Sequence, residues 1–579
     1  MNKAHKEVKT NIDYLRKLFI MPDSIDKFVE FGDELIEMIH SFFQERGGIH
    51  SSISLPDLSK LFSRISIPDR PLLIKDVLSE IKTNVIGHSV KVASPYYIGH
   101  MISAIPYFMI LLEMIIVTLN QNQVKIETAK ASSFVEREFL AWLHHLIFNR
   151  REGFYKKNIQ NHRVSLGNIT SDGTLANLTA LLVAREKAFP PKADFPGLRK
   201  SGMERALRYY GYDRGVIIVS ARGHYSIKKS ASLLGIGEDN IINIAVDNNN
   251  RIDLNRLRRT VGSLKKNKGK EKTKIIAITG IAGTTETGSV DNLQELEKIA
   301  HEEGAHFHVD ACWGGSALLV DEYKPLLKGI ERADSVSIDA HKLLYCPMTM
   351  GVVLFRNERD LHYIKHFSQY VIRRNSVDMG RFTIEGSRPF ACLKPWAALK
   401  IMGRQGYGLL FRQAKKSTDT LKRNLDNCGN FETLNDPELF ILNYRFIPNN
   451  IMQHILECRE TQKLHKKNLQ KRRDAEYRIK KINCFINALN IKLHKALRRD
   501  DTTFVSRTTL ESTRYRPQKI VVLRAVLVNP LINRHVLKEI VSIQNRVGMQ
   551  LWTLFKPAYL RALEESNQEY DQEINYAHQ

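Results

Sequence analysis

From about Ala93 onward the chain alternates short apolar segments of strand length with longer stretches in which apolar positions recur every three or four residues. Short apolar runs bounded by turn signals read as strands, and the longer period reads as helices. Seven segments qualify as strands: HRVSLGNIT, RGVIIVSA, NIINIAV, KIIAITGIAG, HFHVDA, ADSVSID and GVVLFR. Strands separated by helices predict an α/β domain around one large, mainly parallel seven-stranded sheet, assigned to residues 91–395. Residues 1–90 instead show helical stretches broken by the turn signals MPDS, RGGIHSS and SIPDRP. Residues 396–579 alternate less regularly, with strand-like pieces in FETLNDPELFILNYRFIP and KIVVLRAVLVNP, and predict a smaller α+β lobe.

Two stretches depart from this pattern. Met101 to Asn120, MISAIPYFMILLEMIIVTLN, approaches the length of a membrane span, but Pro106 and Glu113 interrupt it, so a buried helix is expected and no membrane attachment. Between Ile451 and Asp500 the chain carries 14 Lys/Arg against 5 Asp/Glu. Its apolar residues Tyr477, Ile479, Ile482, Phe485, Ile486, Leu489, Ile491 and Leu493 fall at near-helical spacing, which predicts an amphipathic helix with a solvated basic face rather than a nucleic-acid surface.

Composition narrows the class. With 579 residues, 43% hydrophobic and 26% charged, the chain is long enough for two or three lobes of an ordinary globular protein. Of the formal charge of +25, the 451–500 segment carries +9, the 14 Lys/Arg less the 5 Asp/Glu. Six cysteines lie far apart, with no CxxC pair or disulfide framework. The first residues carry charges throughout and lack the apolar core of a secretory signal, so a reducing cytoplasm is the expected setting.

Chemistry should collect beyond the carboxyl ends of the strands, where open α/β sheets hold their ligands. After the first strand come Asp172, Gly173 and Thr174 and then a helix, a turn whose free N–H groups could hold a phosphate. His224 follows the second strand, where it could equally cap a helix; Thr285 follows the fourth, with Asp291 further on. Asp310 ends HFHVD, and a carboxylate buried there needs a positive partner. Lys342 comes one strand later, 32 residues on. Singly each signal is weak. Together, an acid deep in a crevice, a lysine able to form an imine, an imidazole ring and a Gly/Thr cradle describe a pyridoxal phosphate site.

The ordered motifs TSDGTLAN, HYSIKKSA, AGTTETGSVD, HVDACWGG and DSVSIDAHKLLY resemble the group II pyridoxal phosphate-dependent amino acid decarboxylases. SPYYIGHMISAIPYF, LNQNQVKIETAKASSFVERE and TIEGSRPF resemble their bacterial aspartate 1-decarboxylase-like branch. The resemblance covers about residues 90 to 400, more loosely DPELFILNYRFIP and FVSRTTL, and implies the aspartate aminotransferase fold, fold type I. It implies that Lys342 forms the Schiff base, that His341 contacts the cofactor phosphate with Gly173 and Thr174, and that Asp310 keeps the pyridine nitrogen protonated. It further implies that His224 stacks on the ring, that Thr285 lies near it, and that residues 1–90 wrap the partner of a homodimer.

The implied reaction is decarboxylation of an L-amino acid, aspartate to β-alanine or glutamate to γ-aminobutyrate, with Arg388 in EGSRPF a candidate for the side-chain carboxylate or, equally, a link between lobes. Three positions depart from the family. Cys312 replaces a usual alanine beneath the ring, Asp172 sits in the phosphate turn and must point away as a helix cap, and no residue between Arg356 and Arg381 matches the mobile-loop tyrosine, although Tyr363 and Tyr370 are available. A carbon–carbon lyase resembling sphingosine-1-phosphate lyase and a catalytically weak binding protein of the same fold are the alternatives.

Overall fold

The computed structural model describes residues 12–20, 26–45, 47–266, 271–368, 376–465 and 468–577. All seven expected strands form: β1 (Gly167–Thr170), β2 (Arg214–Ser220), β3 (Ile241–Ile244), β4 (Thr273–Ile281), β5 (His306–Asp310), β6 (Ser335–Asp339) and β7 (Gly351–Phe355). They build one sheet in the order β1-β7-β6-β5-β4-β2-β3. Every pairing from β6 across to β3 is parallel, while β7 runs antiparallel to both of its neighbours. The reversal has a simple cause: residues 340–350 between β6 and β7 contain no helix, and a parallel return needs a crossover of about a dozen residues or more. That same connection carries His341 and Lys342.

The strands β5, β6 and β7 are buried throughout, because helices cover both faces, which explains their continuous apolar character. Strand ends and helix starts therefore meet along one edge. β1 feeds the helix Gly173–Ala188 and β2 feeds the helix Tyr225–Leu233; β4, β5 and β6 end in the turns at Gly283, Cys312 and His341.

A second, wholly antiparallel sheet contains β8 (Phe431–Thr433), β9 (Ile441–Phe446), β10 (Ser506–Leu510) and β11 (Ile520–Val526) in the order β10-β11-β9-β8. The basic segment is a helical hairpin, Asn449–Leu464 and Leu469–Asp500, rather than one helix. It lays Ile482, Ile486, Leu489 and Leu493 against this sheet and leaves Tyr477 largely exposed. The long helix Leu393–Cys428 joins the two sheets: Tyr407, Phe411 and Ala414 belong to the large core, Leu421 and Leu425 to the small one. It bends at Gly403, whose φ of +58° is open to glycine at little cost.

The apolar run at Met101 is not a buried helix. The helix Tyr107–Leu119 starts after Pro106 and buries Met109 and Ile116, but Tyr107, Leu111, Met114, Ile115 and Val117 are exposed. The chain covers one side of this helix and leaves its other apolar side exposed. Among the described residues no helix is long and apolar enough to cross a membrane.

Candidate active site

The strand ends close around a cavity of about 210 Å³. Gly173, Thr174, His224, Thr285, Asp310, Cys312, His341 and Lys342, drawn from five separate strand ends, all line it. A larger cleft of about 720 Å³ between Trp142, Leu327 and Leu399 is apolar and holds none of these groups.

Asp310 is buried at the end of β5, and its environment is built to keep it charged. Asn177 Nδ2 donates to Oδ2 at 2.9 Å, the Cys312 N–H to Oδ1 at 3.2 Å, and Ser337 Oγ lies 3.5 Å from Oδ1. Burial alone would raise its pKa; the Lys342 ammonium above all, together with the Cys312 N–H, reverses this and holds the carboxyl below its ordinary value. Asn177 also donates to Ser226 Oγ at 3.0 Å, and its carbonyl oxygen accepts from Ser337 Oγ at 2.7 Å and lies 3.0 Å from His308 Nε2. His308 is pushed down to about 4 by burial, so it is neutral there.

Lys342 Nζ lies 2.9 Å from Asp339 Oδ2. Burial would depress the ammonium, but Asp339, with Cys312 and Asp310 nearby, overrides it and holds Lys342 well above its ordinary pKa. Asp339 Oδ1 is buried with no hydrogen-bond partner. His341 Nδ1 lies 2.9 Å from the Met350 carbonyl oxygen and 3.2 Å from the Met350 N–H, and its Nε2 lies 3.7 Å from Asp339.

His224 caps the helix Tyr225–Leu233: its Nδ1 accepts from the Ser226 N–H at 3.3 Å and lies 2.8 Å from Ser226 Oγ. With Nδ1 an acceptor, the ring proton belongs on Nε2. Burial lowers its pKa against the pull of Asp310, keeping the imidazole neutral near pH 7.

At the cradle, Asp172 is the helix cap. Its Oδ1 accepts from the Leu175 N–H at 2.9 Å and its backbone carbonyl from the Ala176 N–H at 3.0 Å, which leaves the first N–H groups, of Gly173 and Thr174, for a ligand. A Cβ on Gly173 would sit 2.5 Å from Cys312 Sγ and 2.7 Å from Asp339 Oδ2, so the cradle depends on the missing side chain. Cys312 fits, its thiol 3.4 Å from Ser337 Oγ. An anion cradle, a buried ionised carboxylate, an unpartnered carboxylate oxygen beside a lysine and a neutral imidazole match the polar groups of pyridoxal phosphate.

Arg388 does not line the cavity, and its expected contact with a substrate is corrected. It is 4% exposed, and its Nη2 and Nη1 donate to both oxygens of buried Glu136, at 2.8 and 3.2 Å. A carboxylate as deeply buried as Glu136 requires such a partner. Tyr363 lies in the short turn Asp360–Ile364 and does not line the cavity; Tyr370 lies outside the described residues.

Sequence reasoning missed Asn177, Asp339 and Arg222, all on the cavity wall. Asn177 was detectable, one helical turn beyond Gly173 on the face that meets the sheet. Arg524 also escaped notice; from β11 it donates through Nε to the Thr285 carbonyl at 2.7 Å and through Nη1 to the Gly99 carbonyl at 3.0 Å.

The model of the pyridoxal-dependent decarboxylase conserved domain matches residues 56–447. The chain belongs to this family. Aspartate 1-decarboxylase of Aliivibrio fischeri is 37% identical over 545 residues, covering 94% of this chain and 96% of its own. Mouse cysteine sulfinic acid decarboxylase is 28% identical, covering 65% of this chain and 72% of its own. Among solved structures, a rice enzyme described as TDC with PLP and tryptamine superposes with a TM-score of 0.75 at 18% identity, covering 92% of this chain and all of that one. The mouse CSAD structure gives 0.72 at 23%, covering 90% and 97%. The decarboxylase is thus a fold type I enzyme that uses pyridoxal phosphate to remove the carboxylate of an amino acid.

Proposed function

We propose that this decarboxylase acts on an acidic L-amino acid, converting L-aspartate to β-alanine, with L-glutamate to γ-aminobutyrate as the second choice. The observation that carries this reading is the 37% identity, sustained over 94% of the chain, to a protein named as an aspartate 1-decarboxylase.

Pyridoxal phosphate supplies an acceptor for the electron pair left at Cα when carbon dioxide departs. Lys342 Nζ would hold the cofactor covalently, and to do so it must release a proton; Asp339 Oδ2, at 2.9 Å, is the acceptor in place. Asp310 keeps the ring nitrogen protonated, fixed for the task by Asn177. The Gly173 and Thr174 N–H groups, with His341, would take the phosphate, and Thr285 lines the same cavity. Neutral His224 donates its Nε2–H to the substrate's α-carboxylate and orients the bond that breaks.

A homodimer is part of the same reading. Phe28, Val29, Ile36, Ile39 and Phe43 on the helix Phe28–Gln44 are exposed, as is the apolar face of Tyr107–Leu119. Faces of this kind favour a second copy over water. Sedimentation should give twice the 66.6 kDa chain mass; a monomer that still decarboxylates removes this element.

The deciding experiment supplies pyridoxal phosphate to the pure protein and screens the twenty amino acids and cysteine sulfinate for carbon dioxide release. Release from aspartate or glutamate, lost in Lys342→Ala, supports the reading; release from a neutral or aromatic amino acid alone overturns it.

A further inference from the structure

Arg222 stands at the end of β2, two residues before His224, on the wall of the cavity. Its turn is fixed: the Arg222 N–H donates to Ser220 Oγ at 3.1 Å and the Gly223 N–H to the Ser220 carbonyl at 2.7 Å. The side chain is 8% exposed. Nη1 donates to the Thr509 carbonyl on β10 at 3.3 Å, while Nη2 is buried without a hydrogen-bond partner. Leaving a buried guanidinium N–H unpaired is costly, and although Arg388 Nε is unpaired as well, its Nη1 and Nη2 both meet the carboxylate of Glu136, an ion pair that Arg222 lacks among the described residues.

The charges lining the cavity narrow what the free donor is for. Asp339 already holds Lys342, and Asp310 is committed to the ring nitrogen. His224 is neutral and offers a single N–H. An amino acid with a second carboxylate brings one anion more than these groups can meet, in a cavity that also contains Asp172, Asp310 and Asp339. Among the described residues Arg222 is the guanidinium lining that cavity, and its Thr509 bond holds it by the small sheet.

We propose that Arg222 receives the side-chain carboxylate of the substrate and sets the preference for acidic amino acids. This rests on the proposed acidic substrate. It replaces Arg388 by a residue whose donor is buried, unpaired and on the cavity wall. Since the contact is made equally before and during bond breaking, its loss should fall on KM more than on kcat.

The test compares the cofactor-loaded wild type with Arg222→Gln and Arg222→Lys. In Arg222→Gln, KM for aspartate should rise about 10- to 100-fold with a smaller change in kcat, as expected for a charged hydrogen bond. Arg222→Lys should recover part of the loss, and the cofactor absorbance and melting temperature should stay at wild-type values. Succinate, which has two carboxylates and no amino group, should bind the wild type by calorimetry and bind Arg222→Gln at least tenfold more weakly.

An unchanged KM and unchanged succinate binding overturn the assignment. Equal loss of aspartate and alanine binding in Arg222→Gln also overturns it, because it places Arg222 on the α-carboxylate. A fall in melting temperature in both variants, without the KM change, reduces Arg222 to a strut for Thr509. Should the wild type decarboxylate only neutral amino acids, the acidic-substrate reading fails by itself, and succinate binding still reports on Arg222.

Discussion

The two sheets treat buried charge in opposite ways. In the small sheet, Glu432 accepts from Arg445 Nε at 2.7 Å and from Tyr515 OH at 2.6 Å, and Arg445 Nη1 is held by Asn483 at 2.8 Å. Both carboxylate oxygens are used within the lobe. At the carboxyl edge of the large sheet, Asp339 Oδ1 and Arg222 Nη2 are buried and unused. Glu432 is satisfied by the fold itself, whereas at that edge an open acceptor and an open donor belong to residues that line the cavity. Size would have misled: the apolar cleft near Trp142 is the larger space and contains no such groups.

The largest effect is expected for Lys342→Ala, which removes the covalent anchor: carbon dioxide release should fall by at least about 1,000-fold while the melting temperature of the cofactor-free protein is nearly kept. On the small sheet, Glu432→Gln leaves Arg445 buried with a weakened partner, and should cost about 3–5 kcal/mol in denaturant unfolding with kcat/KM per folded molecule unchanged. A loss of activity per folded molecule there would mean that the two regions are not separable. Gly173→Ala places a methyl against Cys312 and Asp339 and should weaken cofactor binding about 10- to 100-fold by titration, with less effect on folding.

Asn177→Ala is intermediate, since this side chain serves both fold and site. About 1–3 kcal/mol of stability should be lost, together with about tenfold in kcat as Asp310 loses a donor. Acid acts on the large sheet by titration rather than by substitution. Burial lowers His306 to about 3 and His308 to about 4, so the folded form takes up protons later than the unfolded chain, where histidine titrates near 6.5. Their contribution is complete above about pH 6.5 and is lost as pH falls toward 4, at about 1.4 kcal/mol per pH unit for each histidine. Thermal melts from pH 7 to 5 check this; a flat profile would mean that β5 opens to water before it titrates.

The strands and most of the cavity wall were legible in the sequence because each is a local pattern. Continuous apolar segments marked β1 to β7, and the turns after them named Gly173, His224, Thr285, Asp310 and Lys342 in order. Arg388 misled because EGSRPF says nothing about Glu136, which lies 252 positions away and takes both ends of the guanidinium. Asn177 and Arg222 went unread for the converse reason: an asparagine inside a helix and an arginine before a histidine are ordinary until a sheet edge brings them to the same space. The run at Met101 read as buried because hydropathy reports a preference for leaving water, not which surface provides the cover.

By itself, the sequence determined the α/β class, the number of strands, the helix-capping role of Asp172 and the set of groups suited to pyridoxal phosphate. Each follows from neighbours in the chain: periodicity, turn chemistry and residues next to strand ends. The tertiary structure alone decided the reversal of β7, the pairing of Asp339 with Lys342, the four-way network of Asn177 and which arginine brings an unpaired donor to the cavity wall. Those outcomes depend on which distant groups meet after burial, and a buried charge is satisfied or left open only by partners that the folded chain carries to it.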